Sequence, residues 1–200
     1  MSLADALRRR RSIRGLKGPA LNREEVEVLI ELALLAPAPH HSRPWRFVTI
    51  SEVRRTELAL AMGSAWETDM IADGIAEDTR LSALDRSRIR IEGAPTLLLG
   101  CLVGEGLNTY LDERRENAEW MMAAHSFGAA LQNLLLAASE RGLGAYWMAA
   151  PLYTPSEVCR VLGLPSEWRP QAFIALGRPR SDYQPFERPV ADLSESLVDR

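Results

Sequence analysis

A chain of 200 residues that is 46% hydrophobic can bury a substantial core, and a single domain over residues 1–200 is expected. Its 24 basic and 27 acidic side chains leave a net charge of -3, so the total gives no support to wholesale nucleic-acid binding and any electrostatic function must be local. Two cysteines far apart in sequence, with no signal-peptide pattern, argue against a secreted disulfide framework, so a cytoplasmic location is expected.

In chain order, a short first helix is expected from Leu3 into the arginines. The second is better marked: Asn22 is its N-cap, Glu25 the capping-box partner, and Leu21 and Val26 form a hydrophobic staple. Pro37 and Pro39 stop it. Arg46 to Ile50 reads as a strand, Glu52 to about Met62 as a helix, and Ile71 to Glu92 as a polar, mostly helical region. The uncharged run Thr96 to Val103 has the length of a buried strand, with Cys101 a small core residue.

Trp120 to Ser139 contains no Asp, Glu, Lys or Arg over twenty residues, about the length of a membrane span. It nevertheless carries His125, Ser126, Gln132 and Asn133 and is bounded by Glu119 and Glu140. A helix buried in the fold or a subunit interface is the simpler reading, and no membrane partner is expected. That helix ends at Arg141 with Gly142 as left-handed cap. Ala145 to Ala149 reads as a strand, Thr154, Pro155 and Glu157 as a capping box closed by Gly163, and Gln171 to Leu176 as the last strand before a Pro/Arg-rich tail. Irregular mixing of helices and strands favours a three-layer α+β or α/β fold around a small mixed sheet.

Two segments carry unusual chemistry. RRRRSIRGLK places six cations in ten residues, Arg8 to Arg11, Arg14 and Lys17, around Ser12. A solvated face, a nucleic-acid arm and a phosphate pocket all remain readings of such a run. Its bracketing by Leu7, Ile13 and Leu16 disfavours a disordered arm, and several guanidinium forks beside a hydroxyl match a phosphomonoester with its charge of about -1.5 to -2. APAPHHSRPWRF, Ala36 to Phe47, is stiffened by prolines 37, 39 and 44, which fix φ. Glu31 is the one Cys, Asp or Glu within ten residues of His40 and His41, so a zinc site is a weak reading and no metal is expected. The segment reads either as a ligand loop or as a plain helix-to-strand connector.

The stretch Arg10-Arg11-Ser12-Ile13-Arg14 resembles the R-x-S-x-R/K phosphate motif that opens the nitroreductase family, whose members bind flavin mononucleotide (FMN). Pro37 to Trp45 is similar to that family's P-x-x-x-N-x-Q-P-W segment, with His41 in place of Asn and Arg43 in place of Gln. The likeness continues through the central helix, GLGAYWMAAP and the tail around Arg188, whereas residues 54–92 match poorly. Within the family, APAPHHSRPWRF and LGLPSEWRPQAFIALGRP look like the flavin-binding C-terminal domain of the bifunctional glutamate ligase that matures the deazaflavin coenzyme F-420.

The resemblance implies a nitroreductase-like α+β fold, an intertwined homodimer, and a C-terminal arm over residues 178–200 lying on the partner subunit. It implies that Arg10, Ser12, Arg14 and Arg188, with Arg11, hold the flavin phosphate, and that Pro37, Ala38, Pro39, His41 and Arg43 border the ring. Trp147 and Met148 would pack on the other face, with the N–H groups of Ala149 and Ala150 near flavin N5. Trp147 and Met148 as ordinary core residues remain the alternative. The implied activity is reduction of dehydro-F-420-0, with Arg9, Arg43, Arg114 and Arg115 as a landing surface for the anionic substrate and a separate glutamate ligase as partner. A general NAD(P)H-dependent nitroreductase or quinone reductase, and a non-catalytic flavin or deazaflavin carrier, are the alternatives. Ala149 stands where many members carry Glu, and no counterpart of the family's mid-chain Lys or Asn falls between Met62 and Ile75.

Overall fold

A computed structural model describes residues 2–197. The last three residues of the expected arm lie outside that range. The elements are α1 (Leu3–Arg9), β1 (Leu16–Lys17), α2 (Arg23–Ala33), β2 (Trp45–Thr49), α3 (Glu52–Ala72), α4 (Glu77–Glu92), β3 (Thr96–Leu102), α5 (Glu113–Glu140), β4 (Gly144–Met148), α6 (Pro155–Leu162), β5 (Arg169–Pro179) and α7 (Leu193–Ser196).

The sheet runs β1-β5-β3-β2, and β4 also pairs with β5. Every pairing is antiparallel, so the expected mixed sheet is corrected to an antiparallel one. Between β2 and β3 the chain makes two helices, α3 and α4, joined by a short turn. An even number of passes returns the chain to the end it left, so β3 must run opposite to β2.

β3 explains the layering. Leu98 and Leu102 face one core, with α2 and α5, whereas Leu97, Leu99 and Cys101 face the other, with α3, α4 and α6. Successive side chains alternate between faces, so a strand covered on both sides reads as an unbroken apolar run. The three-layer arrangement is therefore as expected.

The capping box of α2 forms as read, Asn22 Oδ1 accepting from Glu25 N at 2.8 Å and Glu25 Oε2 from Asn22 N at 2.9 Å. The box expected at Thr154 does not: Thr154 precedes α6 at φ -137°, ψ 50° and makes no side-chain cap bond. α3 extends ten residues past Met62 because its far half packs on α4 rather than on the sheet. β5 runs on to Pro179 because β1, too short to read in the sequence, pairs with its end.

Buried Arg55 anchors the α3–α4 hairpin. Its guanidinium donates to the carbonyls of Ile50 (3.1 Å), Ala94 and Pro95 (3.4 Å), and burial holds its pKa below the ordinary arginine value. No helix among the described residues is long and apolar enough to cross a membrane. α5 is buried along Ala123, Phe127, Ala130, Leu131 and Leu134, yet Met121 and Met122 are exposed.

Burial, with a smaller contribution from Cys159, pushes the Cys101 thiol up to about 12. Above pH 9 the unfolded chain ionises this thiol while the folded chain keeps it protonated, so its share of stability falls as pH rises from 9 toward 12. Urea midpoints measured across that range are expected to fall more steeply for the wild type than for Cys101→Ala. Parallel slopes would show that the thiol titrates alike in both states.

Candidate functional site

After Arg9 the chain leaves α1, with Arg10 at φ -53°, ψ 129°. The extended stretch that follows is tied to the sheet by Ile13 N donating to Ala145 O at 3.1 Å. Arg188 returns from the tail and donates to Leu7 O (3.3 Å) and Arg10 O (2.8 Å). Arg11 donates to Arg8 O (2.5 Å) and Arg10 O (3.1 Å). Burial, then the charges of Arg188 and Arg11, hold the Arg10 guanidinium below its usual pKa. Arg10, Arg11, Arg14 and Arg188 pair with no carboxylate among the described residues. Converging cations without an acid disfavour one another, and an anion relieves them. The donor set therefore fits a phosphate.

Along the extended stretch side chains point alternately to opposite sides. Arg11 and Ile13 line a small cavity with Pro179 and Pro185. Arg14 instead enters a groove of about 670 Å³ that it shares with Trp147, Met148, Ala149 and Ala150. Its guanidinium carbon lies 5.8 Å from the centre of the Tyr146 ring. Trp147 is 49% exposed, which removes the ordinary-core reading for that residue. Ala149 and Ala150 lead into a 3-10 turn in which their carbonyls accept from Leu152 N (3.0 Å) and Tyr153 N (3.1 Å). The N–H groups opening such a turn have no acceptor inside it.

The loop after α2 is strained. His40, His41 and Arg43 have φ of 53°, 55° and 48°, each a left-handed conformation costing a non-glycine residue about 1–2 kcal/mol. Local bonds hold it: Ser42 N and Oγ both donate to Pro39 O, at 2.9 and 2.7 Å, and Trp45 N donates to Arg43 O at 2.7 Å. Trp45 is anchored to α5 by Nε1 donating to Ser126 Oγ at 3.2 Å. Glycine at 106, φ 74°, lets the next loop approach so closely that a Cβ there would lie 2.6 Å from Ser42 Cβ.

A buried carboxylate completes the clamp. Glu119 is 2% exposed, and its Oε1 lies 2.8 Å from His40 Nε2 and accepts from Asn108 N at 3.0 Å. Asn108 Nδ2 also lies 3.1 Å from His40 Nε2. One ring nitrogen cannot donate to Glu119 and accept from Asn108 together. The carboxylate favours the proton on Nε2, so Asn108 contributes mainly through its backbone. Backbone strain held this firmly is typical of functional loops.

The Nitroreductase family pattern matches residues 7–178. The chain belongs to the nitroreductase family. A 5,6-dimethylbenzimidazole synthase of Rhodospirillum rubrum is 27% identical over 181 residues, covering 87% of this chain and 80% of that protein. A nitroreductase-type protein of Desulfovibrio desulfuricans, solved in complex with FMN, superposes with a TM-score of 0.73 at 26% identity, covering 100% of this chain and 97% of that one. A BluB-like flavoprotein of Clostridium difficile has the same fold, with a TM-score of 0.76 at 20% identity over 100% and 99% of the two chains.

Within this nitroreductase-family chain, Arg14 and Trp147–Ala150 come together in the groove. Arg10, Arg11 and Arg188 gather beside α1. Pro37, Ala38, Pro39, His41 and Arg43 do not join them: their loop is clamped against α5 and is absent from the groove's lining. Sequence reasoning missed Glu119, whose partner His40 is 79 residues away. It also missed Trp66, Arg86 and Arg90, which reach the groove from the α3–α4 hairpin. Only a helical pairing of α3 with α4 would have revealed them.

Glu119→Gln retains the shape of the clamp but removes its charge, at an expected cost of about 1 kcal/mol. Amide exchange at Ser42 and Trp45 should quicken. Unchanged exchange would mean that the prolines and local bonds hold the loop unaided.

Proposed function

We propose that the chain is an FMN-dependent oxidoreductase that reduces a small conjugated acceptor, with dehydro-F-420-0 the preferred candidate. The observation that carries this reading is the Arg10, Arg11 and Arg188 cluster, which brings three guanidiniums together with no carboxylate partner among the described residues. Arg10 and Ser12, with Arg11 and Arg188, hold the phosphate, and Arg14 reaches the cofactor from the groove. Trp147 and Met148 face the ring, and the N–H groups of Ala149 and Ala150 supply donors at its edge. FMN supplies hydride-transfer chemistry when bound, and the protein supplies orientation and charge. The complex of the Desulfovibrio desulfuricans relative with FMN supports the cofactor assignment.

A homodimer is part of this proposal. Pro37, Ala38, Pro39, His41 and Arg43 lie apart from the groove of their own chain, so a second subunit is the natural way to bring them to a flavin. Exposed Met121 and Met122 on α5, and Phe186, Val190 and Leu193 on the tail, offer the apolar surface for such an assembly, with the tail from 178 onward lying on the partner.

Purified protein should be yellow and release FMN, identified by mass. Reduction of dehydro-F-420-0 without turnover of nitroaromatics by NAD(P)H supports the preferred substrate. The converse result favours a general nitroreductase, in line with a Bacillus subtilis NAD(P)H nitroreductase-type relative 28% identical to this chain. Tight flavin binding without turnover makes the protein a carrier, and no flavin affinity overturns the reading.

A further inference from the structure

The α3–α4 hairpin contributes a feature that a flavin site alone does not require. Arg86 and Arg90, four residues apart on α4, both line the groove, and Arg14 lines it from the opposite strand side. No Asp or Glu among the described residues lines it. On the same helix Arg88 is paired with Asp85 at 2.7 Å and Glu92 at 2.9 Å, whereas Arg86 and Arg90 have no carboxylate partner among the described residues. Among the described residues Arg86 donates only to its neighbour Ser82 Oγ. Like charges at this spacing disfavour a helix by about 0.2–0.5 kcal/mol, so the local sequence gains nothing from leaving both unpaired.

The remaining walls are aromatic. Trp66 of α3 and Trp147 of β4 are 39% and 49% exposed into the surroundings of the groove, and Tyr153 borders it. Thr154, also in the lining, is 4% exposed and its Oγ1 has no hydrogen-bond partner among the described residues. Flat apolar rings beside guanidinium forks match a planar, conjugated molecule bearing a carboxylate or phosphate.

The geometry points to an anion-selective acceptor site in this groove, where Arg86 and Arg90 hold the acidic group of an aromatic substrate between the tryptophans. This rests on the flavin reading of the same groove for its catalytic meaning, but the selectivity belongs to the protein's own side chains. Arg10, Arg11 and Arg188 lie outside the groove's lining, so the two cationic sets are separable by mutation.

The test uses 4-nitrobenzoate and its uncharged methyl ester, titrated calorimetrically into FMN-loaded wild type and an Arg86→Gln/Arg90→Gln variant. Glutamine suits the exposed face of α4, and matching thermal melts confirm that the variant is folded. The wild type should bind the carboxylate about 10- to 100-fold more tightly than the ester. The double variant should lose that preference while its affinities for the ester and FMN stay within about twofold. Equal binding of both probes by the wild type, or an unchanged preference in the variant, overturns the proposal. Loss of FMN by the folded variant also overturns it, because the two arginines would then belong to the cofactor site. A wild type that takes up no FMN sinks the flavin reading instead, and the same two titrations on that protein still decide the anion preference.

Discussion

Arg14→Ala should weaken FMN binding by about 1.5–3 kcal/mol, a rise in Kd of roughly 10- to 150-fold. Arg14 is the one member of the amino-terminal motif that lines the groove with Trp147 and Met148. It is exposed and has no carboxylate partner among the described residues, so alanine removes its charge without orphaning a neighbour. Arg8 pairs at 3.9 Å with Asp5 on α1, and Arg8→Ala serves as the control that leaves affinity unchanged. Riboflavin, which lacks the phosphate, separates the two ways Arg14 can act. Equal affinity of wild type and variant for riboflavin assigns Arg14 to the phosphate, whereas a matching loss assigns it to the ring. Wild-type FMN affinity should also fall with added salt more steeply than that of the variant, because an exposed ion pair is screened. An unchanged FMN Kd removes Arg14 from the site.

Local signals were legible because their physics is local. The α2 capping box involves residues three apart, and both bonds form. The β3 run announced a strand covered on both faces before either covering layer was known. At Thr154 the same local pattern fails, since its backbone turns away from cap geometry and Oγ1 is left without a partner. The sequence marks α3 only to about Met62 because Gly63, Ser64, Glu67 and Thr68 interrupt the apolar period. That half of the helix is covered mainly by α4, a contact no sequence period reports. The amino-terminal arginines were identifiable as a cationic cluster, but their division between the α1 side and the groove depends on backbone alternation in an irregular stretch. Glu119, Arg86 and Arg90 lay in polar or helical sequence where nothing distinguishes a site residue from a solvated one until the helices are packed.

Phe127→Ala should destabilise the fold by about 3–5 kcal/mol, the usual cost of deleting a buried aromatic ring. Phe127 is 3% exposed on α5 and lies in the core beneath the sheet. Gly100 of β3 makes room for it: a Cβ at that position would lie 2.3 Å from Phe127 Cζ and 2.8 Å from Cε2. Close approach and a register shift between Gly100 and Cys101 explain a glycine inside an otherwise apolar strand. The ring also lies 6.0 Å, centroid to centroid, from Phe47 of β2, the strand that follows the clamped histidine loop. Gly100→Ala alone should cost about 1–3 kcal/mol through overpacking. Combined with Phe127→Leu, which vacates the ring's outer edge, its added cost should shrink, so the two changes should not be additive. Urea denaturation of the four proteins in that cycle measures the coupling. Strict additivity would show that the ring moves aside freely and that α5 is not seated on β3 through this contact. Because β2 is held to β3 in register from Trp45 to Thr49, a strong coupling would also tie the packing of α5 to the position of the strained loop.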